Sequence, residues 1–175
     1  MIDLVARKLP DTLIIGGTPY KVLTDFRIWL RLNEMLQEDF SLLDTSFIFA
    51  EDIPSSDWSE PMIEFLQSPN VTPQADQSDV QLYDFFLDGD YIYGSFMQAY
   101  GIDLTEINLH WHKFKALFAS LPDETKMARI ISYRAYKRSS KTPEETMEGL
   151  RRAWALPEEE VSDDEFLEWA NQEFR

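Results

Sequence analysis

The chain has 175 residues, 44% of them hydrophobic and 14% aromatic, which is enough to bury a core and unlike the composition of a disordered chain. It contains no cysteine, which excludes disulfides, thiolate metal ligands and cysteine nucleophiles and fits a reducing cytoplasm. A formal net charge of −16 sets the chain against nucleic acid and anionic membranes, because binding phosphates requires neutralising them with Lys and Arg.

The N-terminus "MIDLVARKLPDTLIIGG" has no long apolar stretch with a small-residue cleavage site, and no run approaches the roughly 18–20 apolar residues of a membrane-spanning helix. "TLIIGGTPYKVL" predicts a β-hairpin, two short β-rich runs joined by Gly16-Gly17, which can take the positive φ of a tight turn. A lone hairpin is marginal, so it must lie on something larger. "TDFRIWLRLNEMLQED" predicts a helix with Thr24 as N-cap and Phe26, Trp29, Leu30, Asn33 and Leu36 at helical spacing. Residues 40–53 are apolar but poorly patterned and read as weak helix. "SEPMIEFLQ" is a further short helix, with Pro61 tolerated in its first turn.

"SPNVTPQADQSD", residues 68–79, reads as a surface linker, and "VQLYDFFLD" opens with partial strand character. From about Asp88 the pattern becomes helical, with Ile92, Phe96, Met97 and Tyr100, and Gly101 falls where a helix C-cap is wanted. In the next helix Trp111, Phe114, Leu117, Phe118 and Leu121 share a face, while His112, Lys115 and Ala119 lie opposite. Leu121-Pro122 ends that helix, and Asp123 is positioned to cap a helix whose Met127, Ile130 and Ile131 face inward. "TPEETMEGLRRAWAL" is a helix with Thr142 as N-cap and Pro143 at its first position. "SDDEFLEWANQEF" carries a capping box, Ser162 with Glu165, ahead of Phe166, Leu167, Trp169 and Ala170. The expected fold is mainly α: a single helical domain over residues 1–155, with about five to seven helices and a short N-terminal β-hairpin, followed by an acidic C-terminal helix at 156–175.

Chemistry-bearing clusters are sparse. His110 and His112 suggest a metal pair, but side chains two apart on a helix point about 200° apart and cannot share an ion. Asp84, Asp88, Asp90 and Asp103 do not follow the order of a calcium loop, and Asp88-Gly89-Asp90 more simply opens a helix. There is no G-x-S-x-G and no glycine-rich phosphate loop, so no catalytic residue, cofactor or metal ligand is assigned and the chain does not read as an enzyme.

Charge is distributed in blocks. Residues 69–108 hold seven acids and no base, residues 109–155 hold five acids and ten bases, and residues 156–175 hold eight acids and one base. Arg134, Lys137, Arg138 and Lys141 fall at i, i+3, i+4 and i+7 with Tyr133 and Tyr136 between them. Two readings stand for this stripe. It suits the acidic, aromatic C-terminal segment with Phe166 and Trp169, on a neighbouring copy or on its own domain. Alternatively, interleaved aromatics and bases suit a nucleic-acid-binding regulator acting on single strands.

"DYIYGSFMQAYGIDL" followed by "LHWHKFKALFASLPDETKMARIISYR", with "IGGTPYKVLTDFRIWLR" earlier, resembles the small tail-gene protein of long-tailed phages and prophages of Gram-positive bacteria. The resemblance covers roughly residues 10–40 and 80–136 and carries the signature positions Asp25, Phe26, Trp29, Asp90, Ile92, Phe96, Tyr100, Gly101, Ile102, Asp103, His110, Trp111, Phe114 and Arg134. Position 112 is histidine where a second aromatic is common in that pattern, and residues 40–78 have no counterpart in it. The resemblance implies a tail assembly chaperone of the bacterial host cytoplasm, absent from the finished particle. Its implied partners are the tape-measure protein, the tail-tube protein, an upstream tail assembly chaperone and further copies of itself as a homo-oligomer. It implies no catalytic residues, no cofactor, and neither nucleic acid nor membrane as partner.

Overall fold

The computed structural model describes residues 8–36, 44–67, 81–137 and 145–157. The expected linker at 68–79, the caps Thr142 and Pro143 and the acidic C-terminal helix lie outside the described residues. Among those described, six α-helices and one two-stranded antiparallel hairpin form a mainly α fold.

The hairpin pairs β1 (Thr12–Ile15) with β2 (Thr18–Lys21), Leu13 opposite Tyr20 and Ile15 opposite Thr18. Gly16 and Gly17 both take positive φ, 59° and 81°, the combination a two-residue turn between right-twisted strands requires. Leu13 and Ile15 face inward and Ile14 faces out, as period-two alternation demands. Beyond β2 the chain is tied to a later segment by a bridge between Val22 and Phe49.

Helix α1 (Phe26–Met35) starts one residue later than the Thr24 cap predicts. Asp25 is the N-cap, its carboxylate accepting from the Arg27 amide at 3.0 Å. Of residues 40–53, expected as weak helix, 44–53 are described and are not the helix the sequence suggests. They are irregular apart from a 3-10 turn at Ser46–Ile48, because the Ile48 carbonyl accepts from the Leu23 amide and the Ala50 amide donates to Lys21 O at the end of the hairpin. Helix α2 (Ser59–Gln67) follows with Pro61 in its first turn as expected.

The partial strand expected from residue 80 is not seen among the described residues: 81–84 are irregular and 85–88 form a turn leading into α3 (Gly89–Tyr100). Gly101 ends α3 in the left-handed region at φ 63°, its N–H donating to Met97 O at 3.0 Å. Ser95, rather than Met97, joins Ile92 and Phe96 on the buried face. Helix α4 (Trp111–Ala119) is followed by α5 (Lys126–Arg134), and α6 (Glu145–Ala153) closes the described chain. The side chain at the start of α5 is Thr125, not Asp123. Its hydroxyl accepts from the Ala128 amide at 3.4 Å and donates to Pro122 O at 2.7 Å.

The chain divides into two compact units, one of Met1–Asp79 with Phe85–Arg129 and one of Val80–Asp84 with Ile130–Arg175, the boundary falling within α5. In the first unit Phe114 is the hub. Its ring lies 4.6 Å from Phe26 and 5.3 Å from Phe96, stacked on both, with Phe85, Trp111 and Phe118 within 6.2 Å. Aromatic pairs at such separations add to the stabilisation from area burial. Trp29, fully buried, lies 4.3 Å from Phe65 and so ties α1 to α2. In the second unit Ile130 is fully buried.

Phe114→Ala is expected to lower unfolding stability by about 3–5 kcal/mol in urea titration, the usual range for emptying a large buried ring site. A loss under about 1 kcal/mol would mean that the ring cluster is not the core.

Candidate functional site

Most of the signature residues converge where α1, α2, α3 and α4 meet. Asp25 and His110 form an isolated antiparallel bridge, with the Phe26 amide donating to Leu109 O at 2.9 Å and the Trp111 amide to Thr24 O at 2.8 Å. The entries to two helices are thus hydrogen-bonded to one another. Arg27 strengthens the junction: Nη1 pairs with Asp25 at 2.9 Å, while Nη2 donates to Leu104 O at 2.7 Å and Ile107 O at 3.0 Å. With Thr105 O at 3.3 Å as well, the planar guanidinium gathers a carboxylate and three carbonyls that a lysine could not reach together.

The histidines sit differently from the helical expectation. His110 is the N-cap of α4 with extended backbone, so its ring folds back over the first turn and lies 5.1 Å from the ring of His112. The opposed-face argument fails because only His112 is in the helix. Both ring nitrogens of His110 are engaged: Nδ1 accepts from the His112 amide at 3.0 Å, and Nε2 therefore carries the proton donated to Pro10 O at 2.9 Å. His112 is buried rather than outward, its Nε2 donating to Phe65 O at 3.1 Å. Among the described residues no three His, Cys, Asp or Glu side chains are grouped so as to hold a metal ion.

What His112 does is shared with two neighbours. Trp111 Nε1 donates to Leu66 O at 2.9 Å, and the Lys115 ammonium donates to Leu66 O at 2.8 Å and also to Gln67 O. Three α4 side chains therefore satisfy the last carbonyls of α2, and the cation lies at the negative end of its dipole. Lys115 also lies 5.4 Å from the Trp111 ring centroid. Burial lowers the Lys115 pKa to about 8. Burial likewise lowers that of His112 to about 4, and Nδ1 has no acceptor within reach for a second proton. Burial lowers the pKa of His110 as well.

The remaining signature positions also serve helix ends and turns. Tyr100 Oη lies 2.9 Å from both Leu117 O and Ser120 O at the exit of α4. Asp103 accepts from the Thr105 hydroxyl at 2.6 Å and the Thr105 amide at 2.9 Å, and these bonds hold its pKa below the usual carboxylate value. Asp90 is exposed in the first turn of α3, where its charge favours the helix dipole.

The expected outward basic stripe does not form as drawn. Arg134 is buried, donating from Nε to Trp154 O at 2.6 Å and from Nη1 to Leu82 O at 3.2 Å. It is a brace inside the second unit rather than a surface cation. Helix α5 ends at Arg134, so Lys137, though exposed, is not on a common helical face with it. Arg138, Lys141, Phe166 and Trp169 lie outside the described residues. Among the described residues, exposed large apolar side chains are instead concentrated at α3: Phe86 and Leu87 just before it, and Tyr93 and Met97 on it. That concentration escaped the sequence reading, which grouped Met97 with Ile92, Phe96 and Tyr100 in one helical pattern. No described helix is long and apolar enough to cross a membrane.

The stability supplied by the buried histidine has a definite pH window. Unfolded His112 takes a proton near its ordinary value of 6.5 and the folded residue only near 4. Between these values the unfolded state binds more protons, so stability is whole above about 6.5 and falls as pH drops toward 4. His112→Gln is expected to flatten this slope in thermal melts, leaving the smaller part due to His110; an unchanged slope would count against it. Arg134→Ala is expected to destabilise the fold by about 2 kcal/mol in chemical denaturation, through carbonyls left without their donor.

A family model described as Bacteriophage Gp15 protein matches residues 41–156, more than half of the chain. The match includes residues 41–78, for which the signature pattern has no counterpart, and leaves out the N-terminal hairpin. Comparison with curated proteins and with solved structures finds no match.

Proposed function

Because the chain belongs to the Bacteriophage Gp15 protein family, we propose that it is a non-enzymatic chaperone of phage tail assembly. In this reading it binds the tape-measure protein in the host cytoplasm, keeps it from aggregating and helps tail-tube subunits add around it. The observation that carries the proposal is the exposed apolar surface at α3, with Phe86 53%, Leu87 61%, Met97 41% and Tyr93 36% exposed, on a body of formal charge −16. Exposed large apolar side chains gathered in one short stretch of chain suggest a binding surface. A large net charge of one sign keeps the loaded protein soluble by repulsion between complexes.

The resemblance of "DYIYGSFMQAYGIDL" and "LHWHKFKALF" to the tail-gene protein supports the same reading. So does the employment of the signature polar residues in helix caps and turns, which leaves them in structural roles. A homo-oligomer would match a long, repetitive client, and an upstream tail chaperone is a natural companion in the same assembly. Burial of Arg134 weakens the rival reading of a nucleic-acid contact through the Tyr/Arg stripe.

Co-expression with the tape-measure protein encoded beside it is expected to move that protein from the insoluble to the soluble fraction and to co-purify it. Equal insolubility with and without this chain would overturn the proposal.

A further inference from the structure

The exposed residues of α3 are Asp90, Tyr93, Gly94, Met97 and Gln98, which at i, i+3, i+4, i+7 and i+8 make one continuous side of the helix. Ile92, Ser95 and Phe96 occupy the other side. Gly94 is unexplained by the fold. It lies in the helix interior without positive φ, and a Cβ built there would meet no atom within 4 Å. Glycine at such a position is less favourable than alanine by roughly 1 kcal/mol. Its remaining physical use is to let another backbone approach closely. Gly149 in α6 is equally open but has Glu148 and Arg152 at the positions that Tyr93 and Met97 hold beside Gly94.

The border of this side is acidic. Asp90 opens it, and Asp103 lies against it, accepting from Tyr93 Oη at 3.2 Å. Glu106 is close enough to act electrostatically on Tyr93. No Lys or Arg occurs anywhere in residues 69–108.

We propose that the outer side of α3 is a docking surface for an amphipathic helix of a partner protein, one with an apolar stripe, a small residue facing Gly94, and Lys or Arg along its borders. The contact is helix on helix: Tyr93 and Met97 flank the crossing point, Gly94 permits close approach, and Asp90, Asp103 and Glu106 meet the partner's bases. In taking the occupant to be a client helix, this rests on the function proposed above.

The test uses the full chain and two labelled synthetic peptides with the same Leu/Ala face, one bordered by lysines and one by glutamates, read by fluorescence anisotropy. The lysine peptide is expected to bind more tightly than the glutamate peptide, with affinity falling as salt rises. Gly94→Leu is expected to weaken that binding about tenfold or more, as blocking the centre of an interface does. Its thermal midpoint should be unchanged or raised, because leucine is the better helix former, so a folding defect is separable from a docking defect. Equal binding of both peptides, or undiminished binding by Gly94→Leu, would overturn the proposal. So would a Gly94→Leu variant that sediments as a smaller species while its peptide affinity is unchanged, since a second copy would then be the occupant. Tape-measure solubilisation by the wild type that survives Gly94→Leu removes this surface and leaves the chaperone reading standing. Peptide binding lost in Gly94→Leu, with no solubilisation by the wild type, does the reverse.

Discussion

Short helices with buried ends set the terms for this protein. Five of its six described helices have nine or ten residues. Each helix leaves about four amides and four carbonyls without partners inside it, so close to half of the backbone groups in such elements need outside donors or acceptors. The end of α2 is the clearest case: the carbonyls of Phe65, Leu66 and Gln67 are met by His112, Trp111 and Lys115. Leaving one such group buried without a partner costs about 1–3 kcal/mol, a large share of a domain's marginal stability.

The same constraint explains the signature segment. Tyr100 serves the exit of α4, Gly101 ends α3, His110 starts α4 and Asp25 starts α1. In the second unit Arg134 does likewise for the carbonyl of Trp154, just past α6. These residues are chemically suggestive because capping needs the same donors and acceptors that catalysis and metal binding use. Both ring nitrogens of His110 and the Nε2 of His112 are engaged with backbone, which is why two imidazoles 5.1 Å apart read as structure. A segment of this kind identifies the fold and the lineage of the chain. On α3 the core face and the exposed face are distinct, Ile92, Ser95 and Phe96 toward the core and Tyr93, Gly94 and Met97 toward solvent.

Local sequence signals located the hairpin, the Gly101 terminus and the helices from α1 to α6, because each depends on nearby residues: positive-φ glycines, apolar spacing and proline placement. Where the reading missed, a distant segment had intervened. Residues 40–53 read as weak helix, but Ile48 and Ala50 within them supply backbone partners to the hairpin, and Val22 pairs with Phe49 across an interval that periodicity does not register. The sequence reading put the cap at Thr24, and geometry chose Asp25 because the Thr24 carbonyl is taken by the Trp111 amide.

The sequence by itself therefore determined the mainly α class, the hairpin, the absence of thiol chemistry and a phage-tail resemblance, all of which rest on composition or short-range pattern. Tertiary structure alone decided that His112 and Arg134 are buried and that Met97 is not. Which side of a helix meets the core depends on what packs against it from elsewhere in the chain. Periodicity defines a face, but only the neighbouring elements determine whether that face is covered.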